Sequence, residues 1–108
     1  MQILHSKIYG QDKTGTPLLV FHGLFGMLDN WGSFGKEFGE LFPTHLIDLR
    51  NHGKSFHSDE MNHQVLAEDI LNYMNFHGIE KANLLGHSLG GKAVMTFAIS
   101  FPEKVEKI

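Results

Sequence analysis

Three short runs, Leu18 to Phe21, His45 to Ile47 and Ala82 to Leu85, alternate with segments whose apolar residues recur every three or four positions. A short, mostly apolar run bounded by turn residues marks a strand buried on both faces, whereas three- and four-residue spacing marks a helix with one apolar stripe. Their alternation leaves few architectures open: an α/β fold, a mostly parallel sheet with flanking helices on both faces. Gln2 to Tyr9 alternates apolar and polar residues and reads as a further, half-exposed strand. The turn chemistry of Gly10 to Pro17 then reverses the chain into the first buried run.

The helical stripes are of unequal quality. Trp31, Phe34, Phe38, Leu41 and Phe42 define the first, closed by Pro43. Gly32, Gly35 and Gly39 each weaken it by up to about 1 kcal/mol, so it is expected to depend on packing against the sheet. The second, from about Asn62 to His77, carries Leu66, Ile70, Tyr73, Met74 and His77 on one face, with Asn62 placed to cap its start and Gly78 its end. Leu89 to Phe101 forms the third, with Leu89, Ala93, Val94 and Phe97 turned inward and Pro102 beyond it.

Composition narrows the partners. A chain of 108 residues, 42% hydrophobic and 19% charged, is sized for one soluble domain, residues 1–108. Its net charge of −3 and scattered Lys and Arg lack the basic stripe that nucleic acid or a membrane surface would require. Met1 to Gly10 has neither the basic nor the apolar region of a secretory leader, and a cytoplasmic location is the expectation. There is no cysteine, and the eight histidines include no His-Glu-x-x-His pattern, so no metal or other cofactor is expected.

The chemistry concentrates at Gly86-His87-Ser88-Leu89-Gly90, between a predicted strand and a predicted helix. A Gly-x-Ser-x-Gly segment in that position puts serine on a sharp turn, where the flanking positions must lack bulk, and lifts its hydroxyl clear of the sheet. Ser88 is accordingly the candidate nucleophile, at a helix N-terminus that favours developing negative charge. His22-Gly23-Leu24-Phe25-Gly26 leaves the first buried run at the same carboxyl edge. Acyl transfer needs two backbone donors aimed at the oxyanion, and the N–H groups of Leu24 and Leu89 are the natural pair, with Phe25 next in line for the former.

Within these residues a proton acceptor for Ser88 is hard to find. His87 adjoins it, but neighbours on a sharp turn project in different directions. His22 is expected to shape the Gly23 loop rather than to act as a base, and Asp48, Arg50 and His52 are expected to tie loops together.

His22-Gly23-Leu24-Phe25-Gly26, Asp48-Leu49-Arg50-Asn51-His52-Gly53-Lys54-Ser55 and Gly86-His87-Ser88-Leu89-Gly90-Gly91-Lys92, in that order, resemble the α/β-hydrolase fold and, more narrowly, small bacterial esterases of the YbfF type. The resemblance spans essentially the whole chain. It implies hydrolysis of a carboxylic ester or thioester through an acyl-enzyme on Ser88. It further implies that these residues are the N-terminal half of the domain, with the next strand beginning near Ile108, the acid just after that strand and the histidine far beyond it. On that reading the 108 residues alone are inactive or weakly active.

Two other readings share the motifs: a different chemistry on the same serine elbow, such as carbon–carbon bond hydrolysis or cofactor-free haloperoxidation, and a non-catalytic or inert fragment. In the esterase reading Ala82 to Leu85 is left as an exposed apolar edge, through which the chain is expected to self-associate.

Overall fold

The computed structural model describes residues 2–108. A five-stranded sheet runs β1 (Ser6–Tyr9), β3 (Thr44–Ile47), β2 (Leu18–Phe21), β4 (Ala82–Gly86), β5 (Val105–Lys107) across its width. Every pairing is parallel except β1 with β3, where Ser6 faces Ile47 and Tyr9 faces Thr44 in antiparallel register. Helix α1 (Gly32–Gly39) covers one face; α2 (His63–Phe76) and α3 (Leu89–Ser100) cover the other.

The period of two within each strand decides which side chain meets which helix layer. Leu19 and Phe21 of β2, Ile47 of β3 and Ala82 and Leu84 of β4 point to the α2–α3 layer, where they bury Ile70, Tyr73, Met74, Val94 and Phe97. Val20 and Leu46 point the other way, toward Leu28, Trp31 and Phe34. Thus β2 is buried on both faces, as its continuous apolar run requires. Among the described residues no helix is long and apolar enough to cross a membrane.

Three boundaries depart from the sequence expectation. The first strand is confined to Ser6–Tyr9: the His5 carbonyl still accepts from Asp48 N–H at 2.9 Å, but the His5 N–H donates to Ser55 Oγ at 2.8 Å rather than to the backbone. Helix α1 begins after a 3-10 turn (Leu28–Trp31) and stops at Gly39, short of Leu41, Phe42 and Pro43. Its glycines have a packing role, since a Cβ on Gly35 would lie 2.9 Å from the Tyr9 ring. The third correction concerns the sheet edge. Ala82 to Leu85 is not the outermost strand, because β5 pairs with it at Ala82↔Val105 and Asn83↔Lys107 across a register shift. Val105-Glu106-Lys107 carries one apolar residue and has no run to betray it; the edge is three residues long and mostly polar.

Helix α2 starts where the cap predicts: the Asn62 side chain accepts from Val65 N–H at 2.8 Å. Gly78 follows its end at φ +67.

Candidate active site

Parallel pairing sets Phe21 of β2 beside Gly86 of β4, so the loops leaving both strands open on one edge of the sheet. Two backbone bonds then bind them together. His87 N–H donates to Phe21 O at 3.1 Å, and Gly90 N–H donates to His22 O at 3.1 Å. That close approach explains the glycines: a Cβ on Gly90 would collide with the carbonyls of Phe21 and His22, and one on Gly86 with the backbone of Gly90 and Gly91.

Ser88 sits at the corner with φ +55 and ψ −110, a sparsely populated positive-φ conformation that costs a residue with a Cβ about 1–3 kcal/mol. It occupies the N-cap position of α3, yet its side chain does not cap the helix. The hydroxyl is exposed and, among the described residues, makes no hydrogen bond. Leu89 N–H, the first amide of α3, likewise has no acceptor there, as expected for a helix start.

The Gly23 loop is held from below by two histidines. Leu49 N–H donates to His22 Nε2 at 3.0 Å, and His22 Nδ1 meets Gly23 O at 2.7 Å. Since Nε2 accepts, Nδ1 carries the proton and the imidazole is neutral; burial pushes His22 below its ordinary value, in keeping with this. His52 repeats the arrangement. Phe25 N–H donates to its Nε2 at 3.1 Å, and its Nδ1 donates to Arg50 O at 2.8 Å. The bond consumes the Phe25 amide, whereas Leu24 N–H meets no acceptor among the described residues. Of the two donors weighed from the sequence, Leu24 is therefore the one left open.

Beneath the loop the carboxylate of Asp48 accepts from Leu28 N–H at 2.7 Å and from Lys54 N–H at 3.0 Å. Arg50 reaches back to α2, with Nε 2.6 Å and Nη2 2.9 Å from the two oxygens of Asp69, and donates through Nη1 to Glu60 O at 2.8 Å. Asp69 had no sequence signal, for it falls on the apolar face of a helix as a lone acid. Only the buried guanidinium facing it accounts for its place.

These partners leave neither His22 nor His52 free to act as a base. Both nitrogens of His22 and of His52 are engaged, and among the described residues no hydrogen bond joins any histidine to Ser88. The exposed ring of His87 lies against Gly23 and faces Trp31, at 6.4 Å between ring centroids. A pocket of about 390 Å³ opens beside it, lined by Gly23, Leu24, Phe25, Asn30, Trp31 and His87. Asn30 and Trp31 were not foreseen as lining residues. They arrive there through the 3-10 turn, where Asn30 Oδ1 accepts from Met27 N–H at 2.9 Å.

A strand–elbow–helix unit with a strained serine, on a parallel sheet covered by helices on both faces, is the frame of a hydrolase. The family model described as alpha/beta hydrolase fold matches residues 16–108, and the chain belongs to that family. It is 48% identical over 94 residues to a Haemophilus influenzae protein designated an esterase/lipase, a match covering 86% of this chain and 33% of that protein. It is 36% identical over 93 residues to Esterase YbfF of Escherichia coli, covering 86% of this chain and 37% of that one. A solved marine microorganism esterase superposes with a TM-score of 0.94 at 40% identity, over 99% of this chain and 40% of the esterase. The chain thus spans about a third of the length of these curated relatives.

Proposed function

We propose that these residues supply the nucleophile and the oxyanion donors of a serine esterase acting on small carboxylic esters or thioesters. The observation that carries the reading is Ser88 itself: a non-glycine residue held at φ +55 on the strand-to-helix corner, exposed, with its hydroxyl unbonded. Backbone strain of this kind persists only where the surroundings impose it, and it concentrates at sites where a reactive group must be presented.

Ser88 Oγ attacks the acyl carbonyl carbon while a general base takes its proton, and the carbonyl oxygen becomes an oxyanion received by Leu24 N–H and Leu89 N–H. Collapse expels the alcohol or thiol, which recovers the proton, and leaves the acyl group on Oγ. Water, deprotonated by the same base, then releases the acid and restores the serine. The base in this reading is a histidine outside residues 1–108, oriented by an acid that precedes it in the chain. Names of the relatives as esterases support the choice of ester over the other chemistries this elbow could serve.

The test is hydrolysis of p-nitrophenyl acyl esters and acyl thioesters by the full-length protein, with fluorophosphonate labelling mapped by mass spectrometry. Labelling at Ser88, lost together with hydrolysis in Ser88→Ala, is the expected result; label on another residue, or hydrolysis that survives the substitution, overturns the proposal.

A further inference from the structure

We propose that His52 is a positioning residue that selects Leu24 N–H as the oxyanion donor by withdrawing the N–H of Phe25. The inference rests on the acyl-transfer reading of Ser88 and extends it to a residue that never touches substrate.

The Gly23–Gly26 segment has no regular structure to orient its amides. Gly26 N–H closes a tight turn onto Gly23 O at 2.9 Å, and Phe25 within it adopts φ +63. Nothing in the Phe25 side chain can hold that strained conformation, because it is 91% exposed. Its amide does the holding, donating to His52 Nε2 at 3.1 Å. With Phe25 and Gly26 both turned into the protein, Leu24 N–H is left without an acceptor among the described residues, and Leu24 itself is 57% exposed at the pocket mouth.

His52 can impose this because it is itself immobile. Its ring is buried against His22, at 5.0 Å between centroids, and its Nδ1 is tied to Arg50 O. Arg50 is clamped by Asp69 of α2. A continuous run of hydrogen bonds therefore carries the rigidity of a core helix out to an exposed loop. Preorganisation of this sort matters most where charge develops, so its loss is felt in the transition state more than in substrate binding.

The two nitrogens of His52 can be tested apart. Glutamine places a carbonyl near the position of Nε2 and keeps an acceptor for Phe25, whereas asparagine reaches only as far as Nδ1 and keeps the bond to Arg50. In the full-length protein His52→Asn is expected to lower kcat about 10- to 100-fold with KM within about twofold, and His52→Gln to stay within about threefold of the parent. Amide exchange at Phe25 should quicken in the Asn variant and not in the Gln variant. Adding Phe25→Gly to His52→Asn should recover part of kcat, since glycine holds φ +63 without assistance.

A structural role confined to the turn predicts the reverse order, Asn above Gln. That order, a loss confined to KM, or unchanged Phe25 exchange in His52→Asn would overturn the inference. Ser88→Ala run alongside separates the two readings: if it spares hydrolysis the acyl-transfer reading fails, while Phe25 exchange still reports on the His52 bond.

Discussion

The turns after β3 and β4 leave the same edge of the sheet on either side of β2, yet they are built on opposite principles. After β3, Asp48, Arg50, His52 and Ser55 are all buried, and each side chain is hydrogen-bonded. After β4, His87 and Ser88 are exposed, and among the described residues the serine hydroxyl is unpaired; each turn holds one non-glycine residue at positive φ, Asn51 at +65 and Ser88 at +55, but asparagine adopts such a φ readily and serine does not. A nucleophile, the role proposed for Ser88, must keep its hydroxyl available, so it cannot be fixed by the bonds that fix an ordinary turn. Its backbone is fixed instead, through β2, whose terminal loop the saturated turn holds in place.

Removing the hydroxyl attacks the exposed side of this comparison directly. Ser88→Ala should lower kcat for ester hydrolysis by at least about 10,000-fold in the full-length protein and leave thermal unfolding unchanged. A large fall in Tm would mean that Ser88 is part of the scaffold after all.

On the saturated side, Asp69→Ala strands the buried Arg50 guanidinium. Breaking a buried pair by removing one partner typically costs about 3–5 kcal/mol, and urea denaturation should show a loss of that size. A loss near zero would dissolve the contrast between the two turns.

Acid provides a third and smaller probe, at the opposite edge of the sheet. His45 is buried there, sharing a 2.6 Å hydrogen bond between Nδ1 and the Tyr73 hydroxyl, with His77, the C-cap of α2, edge-on at 5.7 Å. Burial, reinforced by His77, lowers His45 from 6.5 to about 4, and burial alone lowers His77. Because the folded value is the lower one, the unfolded chain takes up the proton first. The stabilisation is whole above about pH 6.5 and is lost as pH falls toward about 4, to the extent of up to about 3 kcal/mol. Denaturation midpoints across that window should fall in the parent and flatten in His45→Asn; an unchanged slope would rule His45 out as the cause.

The smallest effect tests the strain itself. Ser88→Gly should raise stability by up to about 1 kcal/mol, the relief of a Cβ held at positive φ less the added flexibility of glycine. No gain would indicate that the elbow is not under load.

What the residues reveal and what they conceal divides along the reach of the interactions. The buried runs, the Asn62 cap of α2 and the placement of Ser88 between strand and helix are local, written in residues a few positions apart, and the sequence alone specified them. Strand β5 has no pattern of its own, because three residues with one apolar side chain carry no period; the resemblance alone places a strand near Ile108, and the open flank of β4 draws it in at Val105–Lys107. The antiparallel course of β1 depends on which strand it meets, not on its own pattern.

The same division runs through the site. Glycine spacing and order along the chain already pointed to Ser88 as the candidate nucleophile and to the Gly23 loop as the candidate oxyanion loop. Which nitrogen of His22 and His52 carries the proton, why Arg50 needs Asp69, and why Leu24 rather than Phe25 keeps a free amide were decided by bonds spanning 19 to 27 residues. Such partners leave no local mark, because a hydrogen bond requires only that two groups meet in the folded chain, at whatever separation the sheet brings them together.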